Sequence, residues 1–171
     1  MAGNPFGFLR GLKKQNSSSP LPVRLDETTP FQIVEAYKTV RTNLWFALAT
    51  QKSKAVVFSS ALPSEGKSTT CSNLAIAMAQ TDARVLLMDA DLRKPTQYKI
   101  FRCPNTAGLS RLLVGLDTAA DAMHKNVMPN LDLIPSGPIP PNPSELLGSE
   151  NMSVLLDKLS THYDYIFIDS P

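Results

Sequence analysis

A chain of 171 residues with 43% hydrophobic and 19% charged side chains can bury roughly two thirds of its unfolded surface around one core. Seventeen basic against fifteen acidic side chains leave a net charge of only +2, which gives no basic field for nucleic acid or an anionic membrane. Two cysteines, Cys71 and Cys103, exclude a disulfide framework and a Cys-x-x-Cys metal knuckle, and favour a reducing compartment, so a cytoplasmic protein is expected.

Residues 1–28 carry the run Gln15-Asn16-Ser17-Ser18-Ser19-Pro20 and then Pro22 with no helical or strand period, and read as a flexible leader. Arg10, Lys13 and Lys14 are preceded only by the short stretch Pro5 to Leu9, too little for a signal-peptide core. No stretch approaches the ~18 consecutive apolar residues of a membrane span, so any membrane role must come through a partner. An ordered domain is expected over 29–171. Thr29-Pro30-Phe31-Gln32 supplies a capping residue, a proline at the first helical position and a glutamine at the third. Ile33, Tyr37, Val40, Leu44 and Leu48 then mark the apolar stripe of a long amphipathic helix.

The run AVVFS at 55–59 is β-branched and ends at a small-residue and proline loop, as a buried parallel strand does. Cys71, Leu74, Ala75 and Met78 give the following helix one apolar face. Strands are predicted over 84–89 (RVLLMD), 131–135 (LDLIP) and 165–169 (YIFID). Between the last two, Asn142-Pro143-Ser144-Glu145 opens a short helix with a second capping box, and Met152, Leu155, Leu156 and Leu159 mark another helix. Strands alternating with helices at more than hairpin separation imply an α/β fold: a doubly wound parallel sheet with helices on both faces.

Ser60 to Thr69 (SALPSEGKST) lies between a predicted strand and a predicted helix, the context that gives a phosphate-loop match its weight. Backbone N–H groups through Glu65, Gly66, Lys67, Ser68 and Thr69, with the positive helix end, would cradle phosphates. Lys67 would reach the β and γ oxygens, and the Ser68 hydroxyl would ligate magnesium. The usual pattern begins with glycine, where Ala61 stands. Asp89 and Asp91 end the second strand before Arg93-Lys94-Pro95, and Asp169 ends the last one. Carboxyl ends of strands line the ligand crevice of a doubly wound sheet, so three carboxylates are expected to converge on the phosphates, with oxygen ligands that suit Mg2+.

These motifs resemble, in order, those of the bacterial tyrosine kinases of the capsule and exopolysaccharide type, the CpsD/CapB-like subunits. The phosphate loop is Pro63 to Thr69, the second aspartate motif LLMDAD at 86–91 with Arg93-Lys94-Pro95, and the Walker B strand Ile166 to Asp169. Pro141 to Leu147 also looks like the family's, and Ala61 is tolerated there. The resemblance spans about 29–171 and implies a P-loop NTPase-like fold. It further implies transfer of the γ-phosphoryl group of ATP to protein tyrosine, with autophosphorylation, in control of capsular or extracellular polysaccharide synthesis. In that reading Lys67, Asp89 and Asp91 are catalytic, with Asp89 polarising the tyrosine hydroxyl, and Ser68, Asp91 and Asp169 hold magnesium. The family's oligomerisation motif appears as Glu35, Lys38 and Arg41, lysine replacing the middle arginine. A transmembrane modulator subunit is the implied partner, drawing the protein to the inner face of the membrane.

The chain stops at Pro171 inside a motif that the family continues, so an N-terminal portion of a longer polypeptide is expected, its acceptor tyrosines elsewhere. Two other readings compete: a ParA/MinD-like switch ATPase that modifies no protein, and an inert bridging subunit. Trp45 is expected to pack, His124 and His162 lack companions at metal-ligand spacing, and Tyr98 is the expected accessible tyrosine.

Overall fold

The computed structural model describes residues 24–51, 54–62 and 64–171. Most of the expected leader, residues 1–23, lies outside the described residues. Arg24 to Thr28 is described, and it is not free of the domain. Leu25 is buried, and its N–H donates to Asn73 Oδ1 at 2.8 Å.

Five strands form one sheet: β1 (Ala55–Phe58), β2 (Val85–Asp89), β3 (His124–Met128), β4 (Leu131–Ile134) and β5 (Tyr165–Asp169), in the order β1-β5-β2-β4-β3. The pairs β1·β5, β5·β2 and β2·β4 are parallel, as expected. The sheet is nevertheless mixed, because β3, absent from the sequence reading, runs antiparallel to β4. Pro129 and Asn130, the latter at φ 61°, leave room for a hairpin turn and none for a crossover helix. With exposed Lys125 and Asn126, β3 lacks the apolar run that betrays an inner strand.

Period-2 alternation divides the residues of the inner strands between two cores, whereas β1, expected to be fully buried, stands at the sheet edge among the described residues with Ala55 and Val57 exposed. Val85, Leu87, Leu131, Leu133, Tyr165 and Phe167 face α2 (Lys67–Ala79), which is covered in turn by α1 (Phe31–Leu48). Leu86, Met88, Ile134, Ile166 and Ile168 face the other way. The short helices α3 (Gln97–Ile100) and α5 (Ala119–Ala122) lie in the connections, and α4 (Leu109–Leu113), α6 (Pro143–Leu147) and α7 (Glu150–Ser160) build the second layer. Helices on both faces thus hold as expected. Each fully buried Leu, Ile, Met or Phe adds roughly 1.5–3 kcal/mol, so the central pair β2·β5, buried at every position, contributes heavily to the core.

Several local expectations are revised. Helix α2 is buried on every side from Cys71 to Ala79, rather than along one face, because α1 seals its outer surface. In α1 the packed stripe is Ile33, Val34, Tyr37, Leu44 and Leu48, while Val40 is 47% exposed. Thr29 does not cap α1: its hydroxyl accepts the Asp26 N–H at 2.9 Å, and the cap position falls to Pro30. Nor does a capping box form at α6, where Asn142 Nδ2 donates to Glu145 Oε2 at 2.8 Å. Trp45 is 51% exposed, edge-to-face with Phe46 at 4.9 Å between centroids, and so is not a core residue. No helix among the described residues is long and apolar enough to cross a membrane.

Candidate active site

The register of the three parallel strands brings the site together. Asp169 pairs with Phe58 on one side and with Asp89 on the other, so the ends of β1, β5 and β2 stand level. The loop that leaves β1 crosses directly above Asp169 and enters α2. Gly66, at φ 87°, makes the turn into that helix; a Cβ there would face open space, so the conformation and not crowding calls for glycine.

Lys67 Nζ lies 2.5 Å from Asp169 Oδ1, and the two side chains are 11% and 0% exposed. The second oxygen, Oδ2, accepts the Gln97 amide at 2.7 Å. The same amide nitrogen donates to the Ser68 carbonyl at 3.1 Å, and Gln97 Oε1 lies 2.7 Å from Ser72 Oγ. A polar network under the phosphate loop therefore contains two residues that the sequence reading passed over, Ser72 and Gln97. Nothing in their spacing marks them, because Ser72 is one of several polar residues in the first half of α2 and Gln97 stands beside Lys99 on a four-residue helix.

Asp89 and Asp169 are both buried. Asp89 Oδ2 accepts the N–H groups of Thr96 (3.1 Å) and Gln97 (3.0 Å), and Oδ1 that of Asp91 (3.2 Å). Burial pushes its carboxyl up to about 7, against the pull of those N–H groups and with help from the charge of Asp169. Asp91 does not join the other two carboxylates. Its Oδ1 accepts from Arg93 N (3.2 Å) and Lys94 N (2.9 Å), which closes a turn at the rim. The expected convergence of three carboxylates therefore reduces to two, with the third on the wall. Among the described residues no three His, Cys, Asp or Glu side chains gather closely enough to hold a metal ion unaided.

A cleft of about 720 Å³ opens above this network, lined by Gly66, Lys67, Ser68 and Thr69 from the loop and by Asp91 and Thr96 from the facing wall. Arg93, Lys94 and Lys99 add positive charge to that wall, and Glu65 Oε2 accepts the Leu62 N–H at 3.1 Å. Among the described residues the buried Thr96 hydroxyl stands without a hydrogen-bond partner, and it too belongs to the cleft. An orphaned donor, a left-handed loop glycine, a lysine and a serine at a helix N-terminus fit an anionic phosphate chain. The oxygen donors fit magnesium, which draws much of its shell from phosphate and water.

The comparisons decide the family. A family model described as "AAA domain" matches residues 53–171. The CapB protein of Staphylococcus aureus is 37% identical over 159 residues, covering 93% of this chain and 69% of CapB. The chain belongs to the bacterial tyrosine kinase family. Tyrosine-protein kinase YwqD of Bacillus subtilis is 45% identical over 137 residues, 80% of this chain and 58% of YwqD. Among solved structures, the kinase domain of the Escherichia coli tyrosine kinase ETK superposes with a TM-score of 0.78 at 38% identity, covering 81% of this chain and 54% of that one. The chain thus spans between about half and two thirds of these kinases. Its mixed α/β sheet and phosphate loop are those of this kinase family.

Three tyrosines sit in helices or strands, and Tyr163 lies in the connection between α7 and β5. Tyr37 packs from α1 and receives an Asn73 Nδ2 hydrogen bond at 3.3 Å, Tyr165 is buried in β5, and Tyr163 donates to Asp132 Oδ2 at 2.5 Å. Tyr98, on α3, is half-buried. His124 Nε2 lies 2.9 Å from the Pro104 carbonyl and His162 Nδ1 2.8 Å from Thr161 Oγ1, and neither approaches the cleft.

Proposed function

We propose that this protein is an ATP-dependent protein-tyrosine kinase, autophosphorylating, that regulates capsular or extracellular polysaccharide synthesis. The observation that supports it most is the strand register that sets Lys67, Ser68 and the paired Asp169 beneath one cleft. ATP would supply the phosphoryl group, and Ser68 and Asp169 would hold a magnesium ion that neutralises its oxygens, while Asp91, which stands apart from Asp169 on the cleft wall, is left for the acceptor. Lys67 would leave Asp169 for the β and γ oxygens, and Glu65 to Thr69 would wrap the phosphates.

A base must come within about 2.6–3.2 Å of the proton it accepts. Asp91 stands on the cleft wall and can meet an acceptor hydroxyl there, whereas both Asp89 oxygens face backbone N–H groups inside the protein. We therefore assign the hydroxyl contact to Asp91. Asp89, to which the family resemblance gave that role, instead holds the 91–97 loop in place.

Self-association through Glu35, Lys38 and Arg41 of α1 belongs to the same proposal. It is supported by the apolar groups exposed on that helix, Phe31, Val40, Trp45 and Phe46. So does recruitment from the cytoplasm to the inner membrane face by a transmembrane modulator. Incubation of the full-length protein with ATP and magnesium tests the reading. Phosphotyrosine on the wild type and none on Lys67→Met supports it, and ATP hydrolysis without phosphotyrosine points to the switch ATPase.

A further inference from the structure

Gln97 is a neutral side chain fully buried among charges, and it joins three elements, β2, β5 and α2, through four hydrogen bonds. Its backbone N–H donates to Asp89 of β2; its amide nitrogen donates to the Ser68 carbonyl of the phosphate loop and to Asp169 of β5; its Oε1 meets Ser72 of α2. The orientation of the amide is settled by chemistry. Asp169 Oδ2 only accepts, so the NH2 group must face it, and both of its protons are then used. The Ser68 carbonyl, the second partner of that nitrogen, likewise only accepts, and Ser72 Oγ, 2.7 Å from Oε1, is placed to donate to it.

Asp169 divides its two oxygens between partners of different kinds. Oδ1 is held by Lys67, a long flexible cation that belongs to the phosphate loop. Oδ2 is held by Gln97, which is fixed at four points and has no reason to move when phosphate arrives. A buried carboxylate held through one oxygen by a charge-assisted hydrogen bond resists rotation about its Cβ–Cγ bond, which favours the same direction of Oδ1 after Lys67 departs.

We propose that Gln97 is a positioning residue for the nucleotide-bound metal: it fixes Asp169 and the Ser68 backbone relative to each other, so that Oδ1 is already aimed at the cleft. This rests on the nucleotide-binding reading of the site given above. A residue that merely fills space would affect stability, and would affect nucleotide affinity equally with and without metal. A residue that aims a carboxylate at the metal affects only the gain in affinity that magnesium brings. Groups that orient metal ligands in this way typically change metal affinity by about 10–100-fold.

The experiment is fluorescence titration of the full-length protein with mant-ADP, in excess EDTA and in excess magnesium. Gln97→Met keeps the volume of the side chain and removes its hydrogen bonds. It should reduce the magnesium-dependent gain in affinity by about tenfold, with the affinity in EDTA within about twofold of wild type. Ser72→Ala removes the hydroxyl at Oε1 and so loosens the amide without touching Asp169; it should shift the same ratio in the same direction by a smaller factor, and it carries the test should Gln97→Met fail to fold. An unchanged magnesium gain in the folded variants, or equal losses in both buffers, overturns the role of Gln97. Failure of the wild type itself to bind mant-ADP overturns the nucleotide site, and the inference with it.

Discussion

Lys67 and Asp169, 102 residues apart in sequence, form an ion pair in which the carboxylate is wholly buried. The pair neutralises both the phosphate-loop cation and the strand-end anion, and it links two elements that the nucleotide must also bridge. Removing one partner of a buried pair costs about 3–5 kcal/mol because the other charge is stranded. Lys67→Met should therefore lower stability in urea unfolding as well as disable the cleft. The double variant Lys67→Met/Asp169→Asn, which strands no charge, should recover most of that loss while remaining inactive. Equal stability of Lys67→Met and wild type would show that the pair contributes nothing.

Burial raises the Asp89 carboxyl from 3.8 to about 7. In the unfolded chain the proton leaves near the lower value, and in the folded protein it stays until the higher one. Across that window the unfolded state binds fewer protons, so this group makes stability fall as pH rises from about 4 to about 7 and has no further effect above. The neighbouring thiols of Cys71 and Cys103, both pushed upward by burial, stay neutral throughout this range. Asp89→Asn cannot ionise and should flatten that decline in unfolding curves measured across the window. The same slope in variant and wild type would contradict the assignment.

On α1, Arg41 Nη1 donates to the Ala77 carbonyl at 2.9 Å, near the C-terminal end of α2, while Glu35 and Lys38 pair with each other at 2.8 Å, both 45% exposed. A cation on a helix C-terminus through a charge-assisted bond is worth about 1–2 kcal/mol, and an exposed i,i+3 pair only ~0.3–0.5. Arg41→Ala should thus destabilise the fold measurably and Glu35→Ala hardly at all. If α1 also joins subunits, Glu35→Lys and Arg41→Glu should each shift the mass in light scattering toward monomer. An unchanged mass in both would confine the motif to contacts within one chain.

Gly108 and Gly137 cross where the chain leaves β4. A Cβ on Gly108 would lie 2.4 Å from Gly137 N and 2.4 Å from the Pro135 carbonyl, both backbone atoms that cannot swing aside. Gly108→Ala should cost roughly 2–4 kcal/mol or prevent folding. Gly115→Ala, with nothing within 4 Å and a φ of 77°, meets only backbone strain of about 1 kcal/mol. Comparable unfolding midpoints for the two variants would refute the close crossing.

The parallel strands, the loop between β1 and α2, and the strand-end aspartates were legible because each is carried by a local pattern: a β-branched run, a glycine-lysine-serine turn, a carboxylate after an apolar stretch. What stayed hidden depends on three-dimensional neighbours. β3 is an edge strand whose exposed Lys125 and Asn126 give no apolar period. Leu25 looks like part of a linker until Asn73 accepts its N–H. Thr29 carries the signature of a helix cap, yet Asp26 captures its hydroxyl first. Least legible was the placement of the two aspartates around the cleft. Asp89 and Asp91 are two residues apart and alike in type, and only the loop between them decides that one turns inward to backbone N–H groups and the other outward to the cleft. Gln97 gave no signal at all, since a glutamine on a four-residue helix is ordinarily solvated.

The central claim is that the cleft above Lys67 and Asp169 transfers phosphate to tyrosine. The most direct measurement is mass spectrometry of the full-length protein after incubation with ATP and magnesium, alongside Lys67→Met and Asp91→Asn. Phosphotyrosine is expected on the wild type, with each substitution reducing it by at least about a hundredfold, as loss of a group that stabilises transition-state charge does. Wild-type protein that hydrolyses ATP and carries no phosphotyrosine, or a folded Lys67→Met protein phosphorylated as fully as wild type, would contradict it.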